Sequence, residues 1–137
     1  MRVAPWISLR NEKRIVSSAK GSYVAVAWDL LHELLAIHIS GIAVDEAWYL
    51  DANPDVAAAV RQGTLSGAAE HYVQSGYFED RMPYCIVVDA AWYEEQYEDV
   101  KLAVANGSYG SAQEHFESVG YAEGRHPFPG FALRVFG

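Results

Sequence analysis

The sequence predicts an all-α protein in which two tandem three-helix units of period 44 pack with one long N-terminal helix. The stretch AWYLDANPDVAAAVRQG at residues 47–63 returns as AWYEEQYEDVKLAVANG at residues 91–107. Aligning residues 42–83 with 86–127 needs no gap, and the matching residues keep a constant offset of 44, as expected when one supersecondary unit is reused. Residues 22–40 are apolar over most of a helical circumference, which is typical of a helix buried on several sides.

Length and composition favour a single folded domain. A chain of 137 residues with 51% hydrophobic and 20% charged residues is long enough for one core and too short for two independent ones. We therefore predict one domain, 1–137. Its predicted parts are a basic N-terminal arm (1–21), a long apolar helix (22–40), repeat 1 (44–83), repeat 2 (88–127) and a C-terminal tail (128–137).

The predicted helix over residues 22–40 leaves only a narrow polar stripe of Asp29, His32 and Glu33. Stacked repeats usually need at least three neighbours to bury a continuous core, so another element must cover the ends of this pair. We predict that the helix plugs the repeat pair and also forms the seam of a homodimer. Its candidate interface residues are Trp28, Leu31, Leu34 and Leu35.

The first helix of each repeat is predicted to begin after an aspartate, Asp45 or Asp89, whose carboxylate can accept from the free amides of the first turn. The second helix follows NPDV in repeat 1, where Asn53 is the predicted cap and Pro54 suits the first helical position. Repeat 2 lacks this Asn-Pro pair and keeps only acidic residues, which favour the positive end of a helix.

The second helix is predicted to stop at Gly63 or Gly107, because glycine readily adopts the left-handed conformation beyond a helix end. A third helix then begins, and in repeat 2 the sequence SAQE at Ser111 to Glu114 matches a capping box. This helix is predicted to end at Gly76 or Gly120.

Short strands are predicted in the flanks. WISLR and RIVSS can pair as a hairpin around NEK, and FALRVF at residues 131–136 contains strand-forming residues. Because short apolar runs do not separate a strand from an extended arm, both interpretations stay open there.

Matched residues of the two repeats are predicted to be structural, because a reaction site generally needs one asymmetric set of groups. Two of them, Arg81 and Arg125, are expected to clamp the closing turns to aspartates. The histidines are the acid/base or metal-ligand candidates of a competing interpretation, but no HExxH motif, cysteine pair or paired-histidine spacing supports it. We predict no catalytic residue, cofactor or metal. The matched positions are Trp48, Trp92, Asp55, Asp99, His71, His115, Arg81 and Arg125.

Charge and cysteine content bear on partners and compartment. Residues 1–20 hold five basic residues against Glu12, a balance of +4, so the remainder carries −12 to give the net charge of −8. An acidic body repels phosphate backbones and anionic membranes, and the arm lacks the dense basic face of a nucleic-acid binder. The single cysteine, Cys85, is predicted to be a buried inert thiol in a reducing compartment. Without a signal-peptide or membrane-spanning pattern, a cytoplasmic protein is expected.

The consensus of the two repeats reads WYxxxxPDVxxAVxxG…SAxxHYxxxGxxEGRxP, carried by NPDVAAAV, HYVQSG and AEGR. It resembles a short helical repeat of large bacterial proteins, often found beside secreted calcium-binding repeat regions or in glycosyltransferase-containing chains. The resemblance covers about residues 44–127 and implies an accessory module with no established reaction, so no site residue is transferred. The chain departs from the pattern in being small, in lacking glycine-aspartate calcium repeats and in losing the Asn-Pro pair in the second copy.

The sequence thus predicts a non-catalytic helical protein-interaction or oligomerisation module with an adaptor or regulatory role. It is expected to form a homodimer and to meet a protein partner through its acidic repeat surface. One alternative is a carbohydrate-associated binding module linked to bacterial surface polysaccharide, with Trp48, Trp92, Tyr77 and Tyr121 lining a groove. A second alternative is a nucleic-acid-binding regulator that acts through the basic arm.

Overall fold

The computed structural model of the protein describes residues 15–17, 21 and 24–136. The chain divides into two compact units, an N-terminal unit ending at Ser40 and a C-terminal unit beginning at Gly41. Helices make up most of the regular secondary structure of the described residues, in agreement with the predicted fold class. The basic arm and the WISLR segment lie almost entirely outside the described residues.

In residues 15–17 and 24–40, the described part of the N-terminal unit, a short hairpin is followed by a helix. Strand β1 (Ile15–Ser17) pairs antiparallel with β2 (Val24–Val26), and helix α1 spans Trp28–Ile39. The predicted strand in RIVSS is confirmed, but its partner is β2. The predicted helix over 22–40 is therefore too long at its start, because the valines of YVAV are β-branched and satisfy their backbone groups in a ladder instead.

The four predicted interface residues of α1 lie within about one third of the helix circumference. Trp28, Leu31 and Leu35 follow the i, i+3, i+7 spacing of one side. Leu34, three residues after Leu31, lies at the border of this side, and Ile37 lies beyond it. Trp28 is 62% exposed and its ring lies 4.8 Å from that of His32, whereas Leu31 and Leu35 are half-buried. The side chains of Leu34 and Ile37 are 54% and 58% exposed.

The C-terminal unit contains six short α-helices, and the bounds of corresponding helices differ by 44 residues. The third helix of each repeat changes from α to π geometry at its centre, which the sequence analysis did not predict. In repeat 1 the helices are α2 (Glu46–Ala52), α3 (Pro54–Arg61) and α4 (Ala68–His71), with a π-helical segment at Tyr72–Gly76. In repeat 2 they are α5 (Ala90–Gln96), α6 (Glu98–Ala105) and α7 (Ala112–His115), with a π-helical segment at Phe116–Gly120.

Most of the predicted helix boundaries are confirmed. Asp45 accepts from the Trp48 N–H at 3.0 Å, and Asp89 caps α5 in the same way. Gly63 and Gly107 have φ of 74° and 78°, the left-handed conformation that ends a helix. Asn53 is the N-cap residue of α3, as predicted, and its carbonyl accepts the Ala57 N–H at 3.0 Å. Its side chain does not cap that helix but donates to the Tyr49 carbonyl at 2.8 Å, at the end of α2.

The C-terminal tail covers part of the repeat pair. This role was predicted only for the N-terminal helix. Val135 forms an antiparallel bridge with Ile42, and the predicted strand over FALRVF is reduced to this bridge. Phe128, Phe131 and Leu133 pack against the buried core of repeat 2. The tail thus contacts repeat 2 and the segment that leads into repeat 1.

The prediction for Cys85 is wrong, because the thiol residue is exposed. Its neighbour Ile86 is buried, with 2% of its surface accessible. In an extended segment alternate side chains face opposite sides, so an apolar run such as CIVV need not be buried throughout.

Candidate functional site

A tyrosine–histidine pair lies at the centre of each repeat. The Tyr49 hydroxyl lies 2.9 Å from Nδ1 of His71, and the Tyr93 hydroxyl lies 3.2 Å from Nδ1 of His115. Burial raises the pKa of both tyrosines to about 12. Burial, and secondarily the charge of Arg81 or Arg125, lowers the pKa of the histidines from the usual 6.5. The hydrogen bond therefore joins two groups that are mostly uncharged at neutral pH.

The π-helical segments bring a glycine against each tyrosine hydroxyl. Tyr77 N–H donates to the Tyr72 carbonyl at 3.0 Å, five residues back, which widens the helix at Gly76. A Cβ added at Gly76 would collide with the Tyr49 hydroxyl, and one at Gly120 would collide with that of Tyr93. These glycines are thus required by close packing, in addition to ending the helix.

The predicted arginine clamp is present in both repeats. Arg81 donates from Nη1 and Nη2 to the two Asp55 carboxylate oxygens at 3.0 and 2.9 Å, and from Nε to Glu79 at 2.6 Å. Arg125 binds Asp99 and Glu123 in the same arrangement. The hydrogen bond from Arg81 lowers the pKa of Asp55 to about 2. The guanidinium groups are therefore occupied by carboxylates of their own repeat.

The two clamps differ where repeat 2 lacks the Asn-Pro pair. Asn53 Oδ1 accepts from Arg81 Nη1 at 2.9 Å. At the matching position the Tyr97 ring lies under the Arg125 guanidinium, 4.9 Å from ring centroid to Cζ, and its hydroxyl accepts from the His126 N–H. A cation–π contact thus takes the place of a hydrogen bond.

The two tryptophans have different surroundings. Trp92 packs against the core of repeat 2, as predicted. Trp48 lines a cleft of about 340 Å³ whose walls come from both repeats. Tyr121 lines this cleft and also a second one of about 400 Å³, which includes Tyr77. The four aromatic residues of the predicted carbohydrate groove are therefore only partly brought together. The other polar residues that line the first cleft are Asn53, Asp80, Arg81, Glu117 and Ser118.

Two residues near these clefts were not identified from the sequence. Asp80 lines both clefts and has φ of 55°, whereas its counterpart Gly124 has φ of 72°. Tyr72, whose counterpart is Phe116, is buried, and its hydroxyl makes no hydrogen bond within the described residues. Burial raises the pKa of Tyr72, with a further contribution from the neighbouring Tyr121. Departures from the 44-residue pattern were the available signal for both residues.

Metal-binding clusters and membrane-spanning helices are both absent from the described residues. No group of three or more histidine, cysteine, aspartate or glutamate side chains there is arranged to hold a metal ion. No helix in residues 24–136 is long and apolar enough to cross a membrane.

Comparison of the chain with protein-family models, with curated proteins and with solved structures gives no match.

Proposed function

We propose that the protein is a non-catalytic helical interaction and self-association module, built as a tandem duplication of a 44-residue unit. This proposal rests on one observation: the groups that a catalytic site would need form hydrogen bonds and ion pairs with one another. His71 is bonded to Tyr49, and Arg81 to Asp55 and Glu79. Side chains whose partners belong to their own repeat stabilise a framework and are not free to act on a substrate.

Recurrence of the same bonds supports both the duplication and the structural role. The Tyr–His, Asp-cap and Arg–Asp contacts of repeat 1 each have a counterpart 44 residues later. A reaction usually requires one asymmetric constellation of acid, base and binding groups. A bond that occurs twice in the same geometry is better explained by folding than by catalysis.

Self-association is proposed to use helix α1, whose apolar residues are widely exposed. Trp28, Leu34 and Ile37 keep more than half of their surface accessible. Leu34 and Ile37 are three residues apart and lie close together on the helix, and neighbouring exposed apolar groups of this kind favour a protein contact. The partner proposed for this helix is α1 of a second copy, and the acidic repeats are proposed to meet a further protein. An exposed reduced thiol at Cys85 suits the cytoplasm.

The experiment is sedimentation velocity on the full chain over a range of concentrations. We expect a dimer for the wild type and a monomer for Leu34→Glu combined with Ile37→Glu, because the charges would be buried in the seam. The matched control is Leu102→Glu, which changes an equally exposed leucine on α6 and is expected to leave the dimer intact. A wild type that stays monomeric at high concentration would contradict the proposal.

A carbohydrate-binding function is a second candidate, favoured by the cleft between the repeats. It combines the rings of Trp48 and Tyr121 with the carboxylates of Asp80 and Glu117. Aromatic faces with nearby hydrogen-bonding groups are suited to sugar rings. Titration of bacterial glycans, followed by tryptophan fluorescence, tests this function. Binding should be lost in Trp48→Phe and retained in Trp92→Phe; no binding by any glycan would remove this candidate.

A further inference from the structure

The extended segment 85–87, which precedes repeat 2, has a counterpart at residues 41–43, before repeat 1, that is covered by the C-terminal tail. In this counterpart the Gly41 carbonyl accepts from the Phe136 N–H at 2.7 Å. The Ala43 N–H donates to the Arg134 carbonyl at 2.9 Å. One edge of residues 41–43 is thus occupied by an antiparallel strand.

In segment 85–87 the opposite edge is the one that is hydrogen-bonded, and its partner is a side chain of repeat 2. Gln113, which replaces Ala69 of repeat 1, donates from Nε2 to the Ile86 carbonyl at 2.9 Å and accepts the Val88 N–H at 2.8 Å. Backbone groups of alternate residues point to opposite sides of an extended chain. The Cys85 carbonyl and the Val87 N–H therefore face away from Gln113, and neither has a hydrogen bond within the described residues.

The free edge is also apolar. The side chain of Val87 is 73% exposed and that of Cys85 is exposed, whereas Ile86 between them is buried. A cavity of about 240 Å³ adjoins the segment, with Phe128 and Phe131 in its walls. An exposed apolar strand edge with unpaired backbone groups is a template for pairing with another chain.

We infer that residues 85–87 pair with the same residues of a second copy of this chain. The edge offers an acceptor at Cys85 and a donor at Val87, the spacing that the tail satisfies at Gly41 and Ala43. In an antiparallel pair centred on Ile86, the Cys85 carbonyl of each copy would accept from the Val87 N–H of the other. This arrangement is self-complementary, as a two-fold dimer interface must be. It also places the exposed Val87 of one copy against Cys85 of the other.

The inference rests on the self-association proposed above and adds a second contact surface to that of α1. The two are separated by comparing Val87→Pro, which removes the donor, with the α1 variant Leu34→Glu. We expect Val87→Pro to weaken dimerisation about tenfold or more, since two symmetry-related hydrogen bonds are lost. The matched control is Leu102→Lys, on an exposed surface away from the edge.

Cys85 supplies a second readout, because it is the single cysteine of the chain and lies in the inferred contact. Its rate of reaction with a thiol reagent should fall about tenfold as the wild type dimerises, and should be independent of concentration in Val87→Pro. Val87→Lys, which keeps the donor but adds a charge to the edge, replaces Val87→Pro if circular dichroism shows that the proline variant is unfolded.

The outcomes separate the two hypotheses. A dimer that survives Val87→Pro, or in which Cys85 reacts as fast as in the monomer, overturns the paired edge while leaving the proposed self-association intact. A wild type that is monomeric at every concentration overturns both. Protection of Cys85 together with loss of the dimer in Val87→Pro supports the paired edge.

Discussion

Glu46 occupies the space that a side chain at Gly67 would need: a Cβ added to this glycine would lie 2.9 Å from Oε1 of Glu46. The Glu46 carboxylate accepts the Ala68 N–H at 3.0 and 3.1 Å and so satisfies the start of α4. In repeat 2 the matching residues are Ala90 and Ser111, and Ser111 caps α7 by accepting the Glu114 N–H at 3.1 Å. The third helix of repeat 1 is thus capped by Glu46, and that of repeat 2 by Ser111.

This exchange predicts a compensating pair of substitutions. Glu46→Ala should lower the free energy of unfolding by about 1 kcal/mol, because the α4 amide loses its acceptor. Gly67→Ser should also be destabilising, since the new side chain meets Glu46. Gly67 has an extended φ of 172°, so the serine itself is tolerated by the backbone.

The double variant Glu46→Ala with Gly67→Ser reproduces repeat 2 and is expected to regain most of the lost stability. Urea unfolding of the four proteins in a double-mutant cycle measures the coupling. Strictly additive effects would show that the two caps are independent.

The contact between Gly76 and Tyr49 predicts a second rescue. Gly76→Ala should cost about 2 kcal/mol, because the methyl group overlaps the Tyr49 hydroxyl in a packed core. Removing that hydroxyl with Tyr49→Phe should recover part of the loss, although the hydrogen bond to His71 is then absent. The measurement is chemical denaturation of the single and double variants.

Gly63→Ala serves as the control for this pair. Nothing lies within 4 Å of its added Cβ, so its cost should come from the left-handed φ of 74° alone, about 1 kcal/mol. Tyr49→Phe should not rescue Gly63→Ala. If Gly76→Ala and Gly63→Ala lose the same free energy of unfolding and Tyr49→Phe rescues neither, Gly76 is required only as a helix end.

The helices could be predicted from the sequence because their signals are local. Asp45, Asp89, Pro54 and Gly107 act within one turn of their own position, and each fixes a boundary through its own backbone or cap. The β2 strand was missed for the converse reason: its valines fit a helix or a strand, and the choice depends on pairing with β1.

The long-range contacts were predictable only where charge chemistry was specific. The Arg81–Asp55 clamp followed from a guanidinium and a carboxylate repeated together, although 26 residues separate them. The Glu46 cap and the Gln113 hydrogen bonds were missed, because each occurs in one repeat only and has no counterpart 44 residues away. The cleft at Trp48 depends on how the repeats pack against each other, which the 44-residue pattern does not encode.

The lowered pKa of the two histidines predicts a loss of stability in mild acid. Below the usual pKa of 6.5 the unfolded chain takes up protons that half-buried His71 and buried His115 accept less readily. The unfolded state then binds more protons than the folded state, so the free energy of unfolding falls as pH decreases through this range. Denaturation measured from about pH 7 to about pH 5 should therefore give a declining midpoint.

The variant His71→Gln with His115→Gln removes both titrating groups. It should be less stable than the wild type at neutral pH, yet its stability should change less between neutral and mildly acidic pH. Each single variant should reduce the slope in part, because the two repeats titrate separately. An unchanged slope in the double variant would assign the acid sensitivity to other groups.

The left-handed conformation of Asp80 predicts that this residue costs stability at a cleft. Its φ is 55°, whereas Gly124 takes the same conformation without a side chain, so Asp80→Gly should raise the free energy of unfolding by about 0.5–1 kcal/mol. Gly124→Asp should lower it by a similar amount, because nothing within 4 Å of the new Cβ adds a clash. Asp80→Asn, which keeps a side chain that tolerates this φ, separates the charge from the strain. Destabilisation by Asp80→Gly would contradict this prediction. It would mean that the Asp80 carboxylate, which lies near Tyr121 of repeat 2, stabilises the packing of the two repeats by more than its backbone strain costs.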